Sequence, residues 1–331
     1  MEPIRAPSRP TIKLAFCIPV FDDWQCAAEI LRRLDAVAAA EGWSAQVLFV
    51  DDGSSTPGWR AWSLAPCSLE RIRVLMLRRN LGHQRAIACG LSLLAQEREV
   101  DAVVVMDGDG EDPPERVPQL VERFVHCERR RIVFARRAKR SESMLFRWFY
   151  QLYRILHFVL TGRKIRVGNF SIAPMDLVER LVFVSELWNH YAASVYKARL
   201  PTELVPIPRA ARIDGGSRMG FVSLVVHGLS AISVYLEDVG ARILSACLAL
   251  ALFVCGAAGV VIFVRLGTNL AIPGWATYAI GLLVILLFSA IQLAVVMTLL
   301  ILYMRNSQTV IPLRDSLLFH DRLEQVYPAH P

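Results

Sequence analysis

An α/β domain built on a mostly parallel sheet, followed by a pair of membrane-spanning helices, is the architecture this sequence predicts. Three observations predict it. Short apolar runs rich in valine and leucine alternate with helical patterns through the first half of the chain. Two long uncharged stretches stand toward the C-terminal end. Hydrophobic residues make up 54% of the 331 residues, more than an ordinary soluble chain carries, and the excess lies in those two stretches.

The elements follow in order. Strands are expected at 13–21 (KLAFCIPVF), 45–53 (AQVLFVDDG), 73–79 (RVLMLRR) and 102–110 (AVVVMDGDG), separated by helical patterns over 24–41, 83–97 and 114–127. RIVFARR at 131–137 reads as one more strand. Near-continuous apolar runs of this kind belong to a parallel sheet covered on both faces. Such sheets bind ligands beyond the carboxyl ends of their strands. Three of those ends are acidic, PVFDD, VDDGSS and MDGDGED, and the topology brings them to one rim.

Residues 243–264 are 22 uncharged residues between Arg242 and Arg265, enough to cross a hydrocarbon core of about 30 Å. A second uncharged stretch runs from Leu266 to Met304; GTNLAIPGW within it reads as a turn and places the second span at about 277–304. Burying two such helices back to back would require a very large core, so both are expected to span. The connecting loop has only Arg265, whereas Arg305, Arg314 and Arg322 follow the second span, so both termini and the globular domain are expected in the cytoplasm. The start of the chain, MEPIRAPSRPTIK, lacks the apolar core of a signal peptide, in keeping with that side. Segments 145–160 and 218–242 mix arginines with aromatic and aliphatic residues and suit helices lying in the membrane interface; for 145–160, packing on the domain core fits equally well. The expected division is a domain over 1–217, an interface helix over 218–242, a spanning hairpin over 243–304 and a cytoplasmic tail over 305–331.

Net charge is +7. Without a helix-turn-helix or RNP-type module, and with spans that account for the basic bias, nucleic acid is not an expected partner. The seven cysteines are scattered without a CxxC pair, which fits reduced thiols rather than a disulfide framework or a zinc site. No GxGxxG follows the first strand, and GxxxxGK[ST], HExxH and GxSxG are absent, which argues against a dinucleotide-dependent dehydrogenase, a P-loop NTPase, a zinc protease and a serine hydrolase.

What remains is VVVMDGDGEDPPE (103–115), where five carboxylates crowd the end of an apolar strand. Stability alone rarely asks for that arrangement. Asp107 and Asp109, two residues apart, can meet a divalent cation, Mg2+ or Mn2+, that bridges them to a substrate diphosphate.

CIPVFDD, VDDGSS, NLGHQRAIACGL, MDGDGEDPPE and RIDGGSRM occur in the order found in membrane-bound family 2 glycosyltransferases, and the chain resembles their polyprenyl-phosphate branch, the dolichol-phosphate mannose synthase type, over roughly residues 12–305. The resemblance implies a GT-A fold and a nucleotide-sugar donor carrying UDP or GDP. It implies that Pro19 and the residues after it, Asp23 included, line the base pocket, with Asp52 on the base and Asp51 beside it. It places Asp107 toward the ribose or sugar, Asp109 on the metal, Asp112 under the loop or against the sugar, and Gln84 near the donor. For Asp51 a turn or capping role is equally open. His83 is expected to make a local hydrogen bond.

Two departures matter. Relatives often carry an asparagine and a glutamate where this chain has Asp22 and Asp23. Many also assign a catalytic base to an aspartate in a GDF turn; here the segment is VGNFS, with Asn169, and an amide accepts no proton near neutral pH. A hydroxyl acceptor needs a base, whereas a phosphate monoester is largely dianionic at neutral pH, its second pKa being about 6. Asn169 therefore fits a polyprenyl-phosphate acceptor, with the amide orienting the phosphate or the sugar. An anionic acceptor needs cations, and Arg166, Arg209, Arg212 and Arg218, with Ser217, are expected at its phosphate, Arg212 and Arg218 close to the reaction. The reading is an inverting sugar transfer from nucleotide sugar to polyprenyl phosphate at the membrane face. A hydroxyl-bearing lipid acceptor and a non-catalytic nucleotide-sugar-binding scaffold are the alternatives. Oligomeric state, a homo-oligomer included, is left open.

Overall fold

The structure is a computed structural model, described over residues 12–62, 68–137, 144–163, 167–213, 228–268, 274–306 and 309–328. The chain forms two compact units, one made of 1–143, 165–234 and 310–331 and the other of 144–164 and 235–309.

The first unit is built on one eight-stranded sheet. Its strands are β1 (Lys13–Val20), β2 (Ser44–Asp51), β3 (Leu69–Leu77), β4 (Ala102–Val105), β5 (Ile132–Arg137), β6 (Val167–Pro174), β7 (Thr202–Ile207) and β8 (His320–Tyr327), in the order β7-β5-β6-β4-β1-β2-β3-β8. The run β4-β1-β2-β3 is parallel, as the alternation of apolar runs and helices predicts. Helices α1 (Trp24–Glu41) and α2 (His83–Glu97) fall on their predicted ranges, and α3 spans Val117–His126. α5 (Met175–Leu181) and α6 (Tyr191–Lys197) follow β6.

Period-two alternation sorts the strands onto two buried faces. Leu14, Phe16, Ile18, Val47 and Phe49 join one core with Ile30, Leu31 and Leu34 of α1 and Leu120 and Phe124 of α3. Ala15, Cys17, Leu48 and Val50 join the other with Ala88, Leu91 and Leu94 of α2 and Val178 and Tyr191 beyond it. Burial pushes the Cys17 and Cys89 thiols up to about 12, so both behave as small apolar side chains.

Three strands escape the sequence reading. β6 contains the VGNFS segment taken for a turn; it pairs antiparallel with both β4 and β5. Its Gly, Asn and Pro residues are poor strand formers, and two neighbouring strands override that preference. β7, with Pro206, lies at one edge of the sheet, where a missing N–H is tolerated. β8 lies at the other edge, antiparallel to β3, so His320–Tyr327 of the expected tail are part of the sheet. Its charged alternation conceals Val326 and Tyr327, which pack on the core.

In the second unit, helices Leu236–Gly267 and Trp275–Asn306 pack on each other, and α4 (Met144–Thr161) packs on the first of them. Both long helices are apolar enough to cross a membrane, and only 11% and 6% of their most apolar windows are buried, which distinguishes them from core helices. The first begins at Leu236, upstream of the predicted 243, because apolar and polar residues alike continue the helical turn. Of the expected interface helix, 228–233 is helical and ends in a turn at 234–235; 218–227 lies outside the described residues.

Candidate active site

The rim forms where β1, β2 and β4 end and where β6 begins. Beyond β1, Asp22 accepts hydrogen bonds from the backbone and hydroxyl of Ser55, both at 2.8 Å, and its own N–H donates to the Ser54 hydroxyl at 2.9 Å. This stitches PVFDD to VDDGSS. Asp51 accepts from the Ser54 N–H at 2.9 Å, the turn role left open above. Asp52 accepts from the N–H groups of Leu81 and Gly82 at 2.7 and 2.9 Å. With 3% of its surface exposed and both oxygens engaged, Asp52 serves first as the clamp on the NLG turn that opens α2. Gly53 makes that clamp possible: its φ is +75°, and a Cβ there would come within 2.7 Å of the Asn80 nitrogen. Burial raises both carboxyls above the ordinary range, against the hydrogen bonds that lower them. Pro19 is buried within β1, below this rim.

The acidic loop after β4 is folded on itself. Asp112 accepts from the Asp107 N–H at 3.0 Å, and Asp109 accepts from the Glu111 N–H at 3.0 Å. Asp112 thus supports the loop, one of the two roles expected of it. Residues 208–213 lie along the same loop: Ala210 N–H donates to the Glu111 carbonyl at 3.0 Å, and Ile213 N–H to that of Asp109 at 3.1 Å. Gly110, at φ +83°, leaves the space that the Ile213 side chain takes.

This path brings in the cations. Arg209 pairs with Glu111 and lies 3.9 Å from Asp107; Arg212 pairs with Asp23 at 2.7 Å. Both arginines are expected at an acceptor phosphate; here each is bound to a carboxylate of the rim. Close opposite charges lower each other's energy in a partly desolvated site, and the acidic loop is their nearest partner. Glu111, buried at 8% exposure, is the rim carboxylate to which the sequence reading gave no role. Arg166, Ser217 and Arg218 lie outside the described residues.

The fourth part is a chain of amides. The Tyr191 N–H donates to Gln84 Oε1 at 2.7 Å, Gln84 Nε2 donates to Asn169 Oδ1 at 3.2 Å, and Asn169 Nδ2 donates to Asp107 Oδ1 at 3.2 Å. The backbone donor at Tyr191 fixes which end of Gln84 faces Asn169, and Gln84 in turn fixes Asn169. His83 Nε2 lies 2.9 Å from Asn169 Nδ2 and 3.0 Å from Asp107 Oδ1, with 41% of its side chain exposed. Desolvation opposes its charged form, but Asp107, by charge and hydrogen bond, and then Asp109 and Asp112 hold the imidazole above its ordinary pKa. His83 thus makes its expected local contacts with Asn169 and Asp107. Nothing in the sequence marks Tyr191, which acts through its main chain.

Asp109 is a carboxyl that a cation would relieve. Burial first, then repulsion from Asp107 and Glu111, raise its pKa against the Glu111 N–H and Arg209. Among the described residues no group of three or more His, Cys, Asp or Glu side chains is arranged to hold a metal ion. Two carboxylates nevertheless suit a hard cation that takes its other ligands from water and substrate phosphates.

The family model described as "Glycosyl transferase family 2" matches residues 15–183, just over half of the chain. An undecaprenyl-phosphate 4-deoxy-4-formamido-L-arabinose transferase of Klebsiella pneumoniae (strain 342) is 27% identical over 228 residues, 65% of this chain and 65% of that protein. The protein of the same description from Pseudomonas aeruginosa (strain LESB58) is 28% identical over 221 residues, 63% of this chain and 60% of its own. The chain thus spans less than two thirds of the length of these relatives. Among solved structures, glucosyl-3-phosphoglycerate synthase from Mycobacterium tuberculosis, in complex with Mn2+, UDP-glucose and phosphoglyceric acid, is 17% identical with a TM-score of 0.49 over 69% of this chain and 80% of that one. The family match covers the DGD loop, Asp51 and Asp52, the NLGHQ turn and Asn169, and with the sheet it makes this chain a GT-A member of glycosyl transferase family 2.

Proposed function

We propose that the chain transfers a sugar from a UDP- or GDP-sugar to a polyprenyl phosphate at the cytoplasmic face of a membrane. The observation that carries the reading is Asn169. Its amide, held by Gln84 and bonded to Asp107, places a neutral donor where a catalytic carboxylate would otherwise stand. An acceptor that arrives already charged needs no base there. The names of the curated relatives support a polyprenyl phosphate as that acceptor, and the two apolar helices support a reaction at a membrane. The arginine excess after the second span supports the cytoplasmic side.

In this reading a phosphate oxygen of the lipid attacks the anomeric carbon as the bond from that carbon to the donor diphosphate breaks, with inversion. Asp109, with Asp107, would hold Mg2+ or Mn2+; such an ion supplies charge neutralisation to a departing diphosphate. Asp107 is kept in place by the Asn169 amide and by its own N–H bond to Asp112. Arg209 and Arg212, next to the carboxylates, balance charge as the anionic substrates enter. Arg166, Ser217 and Arg218 are proposed at the acceptor phosphate.

A hydroxyl-bearing lipid is the second reading, and one contact favours it: His83, partly open and 3.0 Å from Asp107, is placed as a base would be. One experiment separates the two. Purified chain in detergent is given a panel of radiolabelled nucleotide sugars with polyprenyl phosphate, and label is followed into the organic phase. Transfer that Asp109→Ala reduces by at least ~100-fold supports the proposal. His83→Gln is expected to keep transfer within several-fold. In a parallel assay with a hydroxyl-bearing glycolipid, transfer that exceeds transfer to polyprenyl phosphate and falls ~100-fold or more in His83→Gln, as for a missing general base, would favour the hydroxyl reading instead.

A further inference from the structure

A second polar site lies wholly within the membrane-spanning unit. A pocket of about 740 Å3 opens where α4 ends against the first long helix, lined by Thr161, Gly162, Arg163, Asp238, Arg242 and Ser245 among others. Arg242 is the last charged residue before 22 uncharged ones, so its guanidinium stands where headgroups meet hydrocarbon.

The pocket wall is built, not incidental. Gly162 has φ +71°, which favours glycine, and the Arg242 guanidinium lies in the space a Cβ there would take. Arg242 Nη1 reaches the Val159 carbonyl at 3.5 Å, at the limit of a hydrogen bond, and makes no ion pair among the described residues. The Arg163 guanidinium lies 5.2 Å from the centre of the buried Tyr235 ring. The turn that carries Arg163 is braced by Thr161, whose hydroxyl donates to the His157 carbonyl at 2.7 Å and accepts from the Arg163 N–H at 3.2 Å.

We propose that this pocket binds the headgroup of an anionic glycerophospholipid of the phosphatidylglycerol kind, the phosphate between Arg163 and Arg242 and the glycerol hydroxyls toward Asp238 and Ser245. Two guanidiniums against one carboxylate select a monoanion. The Ser245 hydroxyl spends its proton on the Ala241 carbonyl at 2.9 Å, which leaves its oxygen to accept from a headgroup hydroxyl. The volume is far larger than a bare phosphate needs, and Asp238 opposes the dianion of a polyprenyl phosphate, so the pocket is not the acceptor site. The inference does not rest on the transfer reaction.

The test uses the full chain, delipidated in detergent and titrated with phosphatidylglycerol, phosphatidylcholine or polyprenyl phosphate, with bound lipid counted by native mass spectrometry. Phosphatidylglycerol is expected to bind in preference to phosphatidylcholine, and polyprenyl phosphate, taken up at the separate acceptor site, is expected to leave it bound. Arg163→Gln with Arg242→Gln is expected to weaken it roughly 30-fold, about fivefold per arginine at an anionic surface. Arg265→Gln, at the other end of the same helix, is expected to leave it unchanged. If the double variant fails to fold, Arg242→Lys, which keeps the charge and loses the forked donors, is expected to weaken binding several-fold. Phosphatidylglycerol binding that ignores these changes, or displacement of the lipid by an equal concentration of polyprenyl phosphate, overturns the proposal.

Discussion

The strand-end rim and the spanning helices satisfy their polar groups in opposite ways. In the spans three hydroxyls bond back to their own helix: Ser245 to the Ala241 carbonyl, Ser289 to Ile285 and Thr298 to Ala294, at 2.8–2.9 Å. Every such bond joins residues four apart. On the rim, beside local turn bonds, side chains also join residues far apart in sequence, Gln84 to Asn169, Asn169 to Asp107 and Arg212 to Asp23. In hydrocarbon a polar group must find its partner locally, because no other is assured. On the rim, partners supplied by different strands position one another, and the loss of one leaves others buried and unsatisfied.

The sharpest way to break this comparison is Asn169→Asp. It sets a carboxylate about 3.2 Å from Asp107, a repulsion of about 5 kcal/mol at an effective dielectric near 20. Transfer to polyprenyl phosphate is expected to fall more than ~10-fold at pH 8, since each ~1.4 kcal/mol of barrier is tenfold in rate. It should recover partly toward pH 6, because the pair then shares a proton and the protonated partner donates as the amide did. A pH–rate profile that parallels the parent's would remove Asn169 from its place in the argument.

Next in size is Gln84→Ala, which strands the Tyr191 N–H and the Asn169 carbonyl. It is expected to cost about 1–3 kcal/mol of the first unit's stability. Ser289→Ala removes a bond of 2.9 Å, yet the Ile285 carbonyl keeps its helical partner, and the cost should stay within about 0.5 kcal/mol. Denaturant midpoints in detergent measure both; equal costs would erase the distinction between the regions.

The smallest effect is electrostatic. Burial raises the Asp51 carboxyl, so the folded state binds its proton more tightly than the unfolded chain. The stability this contributes is full below the ordinary carboxylate pKa of about 4 and is lost as pH rises through the raised value. Asp51→Asn keeps an oxygen for the Ser54 N–H and removes the titration. The decline of the urea midpoint with pH over the weakly acidic range is expected to become shallower in the variant.

These differences track what could be read without coordinates. Helices α1 and α2 and strands β1, β2 and β4 were legible because apolar periodicity is a property of neighbours in the chain. The spans were legible for the same reason, apart from their ends. β3 starts at Leu69 rather than at the predicted Arg73, because Arg73 is buried mid-strand on Glu97, at 2.5 and 2.7 Å, with Gln46 at 3.3 Å. A buried arginine reads as a boundary until its partner from another element is known. β6 and β8 were missed for the related reason that their partners, not their composition, make them strands.

The sequence by itself determined the alternating α/β domain, the two spans and the acidic strand end, since each is a pattern of hydrophobicity or charge along a short run. Only the tertiary structure decided which partners those charges keep: that Arg209 and Arg212 face carboxylates, that Asp52 clamps a turn, and that Asn169 joins Gln84 to Asp107. Hydrogen bonds and ion pairs act over a few ångströms of space, and residues 29 to 189 positions apart meet at that range only when the sheet has set its strand order.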